Sequence, residues 1–127
     1  MEQEVQSRSL SGCPELRMLL RDMFDGWMDD IDPTVPICKY LEHPHFLPIV
    51  HLVRECADSI PFLVGLLHSS SRYGILAMAL LQGLTGENPV PVRYEDDACR
   101  MRTLWEQWAQ SRRIEPLLVE FDRQIDL

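Results

Sequence analysis

Apolar residues recur along this chain at helical spacing. Leu16, Leu19, Leu20, Met23 and Trp27 follow an i, i+3, i+4, i+7, i+11 pattern, which makes one face of a helix apolar. Pro14 suits the first turn, where a missing N–H costs nothing, and Pro33 and Pro36 place the helix end near Asp30. A short helix over 35–42, capped by Asp32 or Thr34, is expected to stop at His43-Pro44. Phe46, Ile49, Val50, Val53 and Ala57 form the next stripe, and Pro48 is confined to its first turn. Asp58 and Ser59 are cap candidates for a helix carrying Ile60, Leu63, Val64 and Leu67, with Pro61 again early.

Between 59 and 86 the only full charge is Arg72, and a break at His68-Ser69-Ser70-Ser71 divides the stretch into two helical runs. The second, with Tyr73, Leu76, Ala77, Leu80, Leu81 and Leu84, is apolar nearly all round, as in a helix covered on several sides. Gly86 fits its C-cap, because glycine accepts the left-handed conformation. Residues 87–92 read as an extended connector with two prolines. Glu95, Asp96 and Asp97 then open a helix bearing Met101, Leu104, Trp105 and Trp108, which Arg112 and Arg113 close with the complementary charge. A last helix would carry Ile114, Leu117, Leu118, Phe121 and Ile125 on one face. No run alternates with period 2. The expected fold is therefore all-α, a compact right-handed stack or bundle of about seven helices. Residues 1–12 are expected to be a flexible segment, and 13–127 a single all-helical domain large enough to bury a core without disulfides or metal.

The central pair of runs also resembles a known family. Residues 60–67 with an early proline, a short polar turn, and then 73–84 with leucines among small residues are similar to one HEAT repeat of the HEAT/armadillo helical-repeat proteins. Thr85-Gly86, the proline-containing connector and the helix with Trp105 and Trp108 extend the likeness to about residue 109. At the turn the family's acidic residue and valine-arginine pair are replaced by Ser69, Ser70, Ser71 and Arg72. The resemblance implies stacked helical hairpins and a role in binding proteins. A repeat array needs several stacked units, and no clean second copy is present, so an unrelated helical bundle stands beside it as the alternative.

Charge narrows the range of partners. The formal net charge is −8, and residues 1–32 hold eight acidic against three basic side chains, or −5. That balance opposes nucleic-acid binding, which requires clustered Lys and Arg to neutralise phosphates. It suits a basic protein partner steered by the field. No apolar run is long enough to span a membrane, and the polar start 1–6 lacks a signal-peptide layout, so a cytoplasmic protein is expected. Cys13, Cys38, Cys56 and Cys99 lie far apart without a CxxC pair, so no disulfide is expected; Cys56 and Cys99 read as small buried hydrophobes.

Candidate chemistry is sparse. Asp22, Asp25, Asp29, Asp30 and Asp32 invite a cation site, but Gly26 directly after Asp25 breaks EF-hand spacing. His43-Pro44-His45 with Cys38 and His51 lacks zinc-ligand spacing, and the intervening proline is expected to turn the imidazoles apart. Cys56 and His51 fall off one helical face, Ser69-Ser70-Ser71 beside His68 reads as a turn, and no GxSxG, HExxH or phosphate-cradling loop occurs. Trp105 and Trp108 read as core. The expectation is a non-catalytic protein-interaction module with no cofactor and no metal, an inhibitor or immunity-type protein presenting an acidic surface to a basic protein. The expected contacts are Asp22, Asp25, Asp29 and Asp30, with Trp27 as an apolar neighbour. The alternative is a self-associating structural protein, a homodimer that covers the apolar ends of a short stack.

Overall fold

The computed structural model describes residues 9–10, 12–31, 37–69, 73–94 and 97–117. Among these residues the fold is all-α and contains no strand, with six α-helices: α1 (Pro14–Asp30), α2 (Ile37–Glu42), α3 (Phe46–Arg54), α4 (Ser59–Ser69), α5 (Gly74–Thr85) and α6 (Ala98–Ser111). A single 3-10 turn, Val92–Tyr94, precedes α6. No described helix is long and apolar enough to cross a membrane.

Local chemistry explains most of the boundaries. Pro14 occupies the first turn of α1, and Pro61 the first turn of α4. Gly86 caps α5 at φ 73°, its N–H donating to the Gln82 carbonyl. At the start of α6 the Asp97 carboxylate accepts the Arg100 N–H at 3.1 Å. The other end of α6 closes as a Schellman motif: Ile114 N–H donates to Ala109 O and Arg113 N–H to Gln110 O. Arg113 takes the left-handed position at φ 59°, the one described non-glycine residue to do so.

Helix α5 is the centre of the molecule. It packs against α2, α3, α4 and α6, most extensively against α4, and Leu76, Ala77, Met78, Ala79, Leu80 and Leu81 are all buried. Its small residues permit this. A side chain at Gly83 would collide with the Phe46 ring of α3. The near-absence of charge in 59–86 is thus the signature of an enclosed hairpin.

Helix α1 lies across the assembly and enters the core through aromatics. Trp27 is 0% exposed and packs on Tyr40 of α2 and Phe46 of α3, with ring centroids 6.0 and 5.9 Å away. Phe24 meets Tyr73, just before α5, at 5.5 Å. Trp105 and Trp108 also serve the core, meeting edge-on at 5.1 Å.

Several expectations change. The α1 stripe is rotated: Leu16, Leu20, Phe24 and Trp27 point inward, whereas Leu19 is 49% exposed. Helix α3 stops at Arg54 because Glu55 and Cys56 bond three residues back, which leaves Ala57 exposed. Cys56 is buried as anticipated, but Cys99 is exposed on α6. Residues 114–117 are not helical, since the left-handed turn at Arg113 reverses the chain and Pro116 disfavours a helical residue before it. The rest of that expected seventh helix, with Leu118, Phe121 and Ile125, lies outside the described residues, as do the cap candidates Asp32 and Thr34. Within 1–12, Ser9 and Leu10 are held rather than loose. Leu10 is fully buried, and Asp58 accepts from Leu10 N–H at 2.8 Å and from Ser9 Oγ at 2.9 Å.

Candidate protein-binding face

Burying Leu16, Leu20, Phe24 and Trp27 dictates what α1 shows to solvent. At 100° per residue the opposite side carries Glu15, Met18, Asp22 and Asp29, with Leu19 at its edge, and all five are exposed. Met18 is 62% exposed. The two arginines of α1 are both half-buried, Arg17 toward the core side and Arg21 on the flank between the two sides. Arg17 donates from Nη1 to the Leu10 carbonyl at 2.8 Å. The outward surface therefore presents mainly carboxylate and hydrocarbon, with Arg21 at its flank.

The five expected contact residues separate into four roles. Asp22 and Asp29 lie on the outward face. Asp25 is half-buried and accepts a 2.7 Å hydrogen bond from the Tyr73 hydroxyl, so it fastens α1 to the start of α5. Asp30 ends the helix, exposed, with its Oδ2 2.9 Å from His45 Nε2 and 3.9 Å from His43 Nε2. Trp27 corrects the expectation of an apolar neighbour on this surface, because its indole is wholly inside the core. Met18 and Leu19 take that place. The sequence pattern puts Leu19 on the buried stripe and does not single out Met18.

The histidine turn also departs from expectation. Proline does not turn the rings apart; His43 and His45 stack with centroids 4.9 Å apart and planes 13° from parallel, both facing Asp30. His43 Nδ1 accepts the His45 backbone N–H at 3.1 Å, which puts the proton of the neutral ring on Nε2, the nitrogen turned to Asp30. No group of three His, Cys, Asp or Glu among the described residues is arranged to hold a metal ion.

Two open depressions accompany these surfaces. One, of about 330 Å³, lies at the N-terminal end of α1 and is lined by Ser9, Cys13, Glu15, Leu16 and Leu19. The Cys13 Sγ sits 3.9 Å from Glu15 Oε1 there. The other, of about 580 Å³, lies between the start of α4 and the segment after α6, lined by Ala57, Ser59, Ile60, Pro61, Arg113, Ile114 and Glu115.

At the far side Glu87 forms a second polar centre. It accepts from Trp108 Nε1 at 3.1 Å and from both Nη groups of Arg112, while the Arg112 guanidinium covers the Trp108 ring at 5.3 Å. The Arg112 hydrogen bonds, helped by that of Trp108, hold the Glu87 carboxyl below its ordinary 4.5, and Glu87 raises Arg112 in turn. This clamp joins the connector after α5 to the end of α6.

No family model, curated protein or solved structure matches this chain.

Proposed function

We propose that the protein is a non-catalytic interaction module of HEAT-like type, an inhibitor or immunity-type protein working in the cytoplasm, whose α1 face receives a basic protein. One observation carries this reading: the outward face of α1 combines exposed Met18 and Leu19 with Glu15, Asp22 and Asp29, and the helix's arginines are half-buried. Helix stability favours Glu15, in the first turn, but does not account for the carboxylates farther along. Asp29 and Asp30 stand at the negative end of the helix dipole, where carboxylates cost a few tenths to about 1 kcal/mol each. Exposed apolar residues rimmed by charge are the usual composition of a protein contact. The HEAT-like part of the reading rests on the α4–α5 hairpin, with its early Pro61 and its small residues under neighbouring helices.

The test is quantitative capture from source lysate by the wild-type chain and by an Asp22→Asn/Asp29→Asn variant of unchanged thermal stability. Basic proteins retained at low salt by the wild type and lost by the variant are the expected outcome. Equal retention by both forms overturns the acidic-face reading. Leu47, 61% exposed on α3, favours the second reading, a homodimer. A monomer that persists at high concentration in light scattering removes it.

A further inference from the structure

On the outward face of α1 the carboxylates Glu15, Asp22 and Asp29 are spaced by seven residues each, and all are exposed. Seven residues of α-helix rise about 10.5 Å and drift only about 20° around the axis, so the three form nearly one row. Met18 and Leu19 fall midway between the first two, three and four residues on from Glu15. Beside them opens the 330 Å³ depression between Cys13, Leu16 and Leu19.

We infer, resting on the protein-binding reading above, that this face receives a cationic amphipathic helix of the partner. Its basic residues would recur every seven positions opposite Glu15, Asp22 and Asp29. An aliphatic side chain from the intervening turn would enter the depression beside Leu19. The row's period selects a helix over a β-strand. A strand advances about 3.3 Å per residue and alternates faces, so its same-face positions recur at about 6.6 or 13 Å, never near 10.5 Å. Two helices side by side share the two-turn repeat, which lets each cation meet one carboxylate while the apolar residues between them interdigitate. The charge complementarity sets register, and the depression supplies the apolar anchor that a row of exposed ion pairs lacks.

The probe is a fluorescein-labelled 21-residue helical peptide with Lys at positions 1, 8 and 15 and Leu at 4, 5, 11 and 12, the rest Ala and Gln. Its binding to the full chain is followed by fluorescence anisotropy at low salt. Two companions keep the same charge: one has its Lys residues moved off the Leu-bearing side, the other has Leu replaced by Ser. The in-register peptide is expected to bind at least about tenfold more tightly than either companion, the scale set by burying one leucine. Leu19→Ser, a change at a half-exposed position, is expected to weaken it by a similar factor at unchanged thermal stability. Bound peptide should also slow thiol modification of Cys13 while exposed Cys99 reacts as before. Equal binding of all three peptides, lost on Asp22→Asn/Asp29→Asn, overturns the helix-and-anchor inference and leaves the acidic face standing. Binding indifferent to that double substitution overturns both, and no binding by any peptide overturns the inference.

Discussion

Two residues with nearly the same backbone angle carry opposite prospects. Gly86 and Arg113 both end helices in the left-handed region, at φ 73° and 59°. A Cβ there crowds the following carbonyl at a cost of about 1–2 kcal/mol, which glycine escapes. Gly86→Ala should therefore destabilise by about 1 kcal/mol. Arg113→Gly should stabilise by roughly 0.5–1 kcal/mol, since the exposed side chain forfeits only a small dipole interaction that Arg112 retains. Thermal unfolding followed by circular dichroism reads both signs. Glu87 offers a pH-dependent counterpart. Its folded carboxyl titrates below the ordinary 4.5 because Arg112 and Trp108 bond its anionic form. The stability it contributes is complete above the unfolded value and disappears as pH falls through the lower folded value. Chemical denaturation from pH 7 to 3 should show wild type more stable than Glu87→Gln at neutrality and the two converging in acid. A constant gap would sink the assignment.

Glycines inside helices separate what a helix wants from what its neighbours allow. Alanine is preferred to glycine in a helix interior by roughly 1 kcal/mol. At Gly26 of α1 nothing lies within 4 Å of a new Cβ, so Gly26→Ala should realise that gain. At Gly65 of α4 the same atom would run into the Leu117 backbone carbonyl, where residues 114–117 cross the helix. No rotamer relieves a backbone clash, so the strap must lift and lose the Leu117 N–H bond to Pro61 O. Gly65→Ala should be destabilising by about 1 kcal/mol despite its better propensity, with faster hydrogen exchange at the Leu117 amide. Such contrasts mark the limit of what could be read along the chain. Pro14, Pro61, Gly86 and Asp97 announced their boundaries because each acts through its own backbone or first turn. The phase of α1 was only partly legible: the stripe places Leu16, Leu20 and Trp27 correctly but misplaces Leu19 and misses Phe24. Leu19 and Phe24 are both apolar, and it takes the location of Tyr73, on which the Phe24 ring packs, to decide that Phe24 goes inward. The candidate face was half legible for that reason: Asp22 and Asp29 are visible in the sequence, Leu19 reads as core, and Glu15 and Met18 do not stand out. The stacked imidazoles at Asp30 depend on where α1 ends in space, which no local spacing encodes.

At the scale of the whole molecule, segments from both sides of the core arrive at one place. Ser9 and Leu10 are held by Asp58, and Leu117 by Pro61, at the start of α4. Asp58→Ala leaves the buried Leu10 N–H without its acceptor, a loss of about 1–3 kcal/mol. Lower thermal stability together with accelerated exchange at Leu10 is the expected result, and an unchanged Leu10 amide would show that the anchorage lies elsewhere. The same convergence decides how the molecule would bear load. A pull applied through Leu10 and Leu117 would be short-circuited across residues 58–61 at the start of α4. The first rupture would be a few hydrogen bonds around Asp58 and Pro61, and α5 would feel tension only after both tethers had slipped.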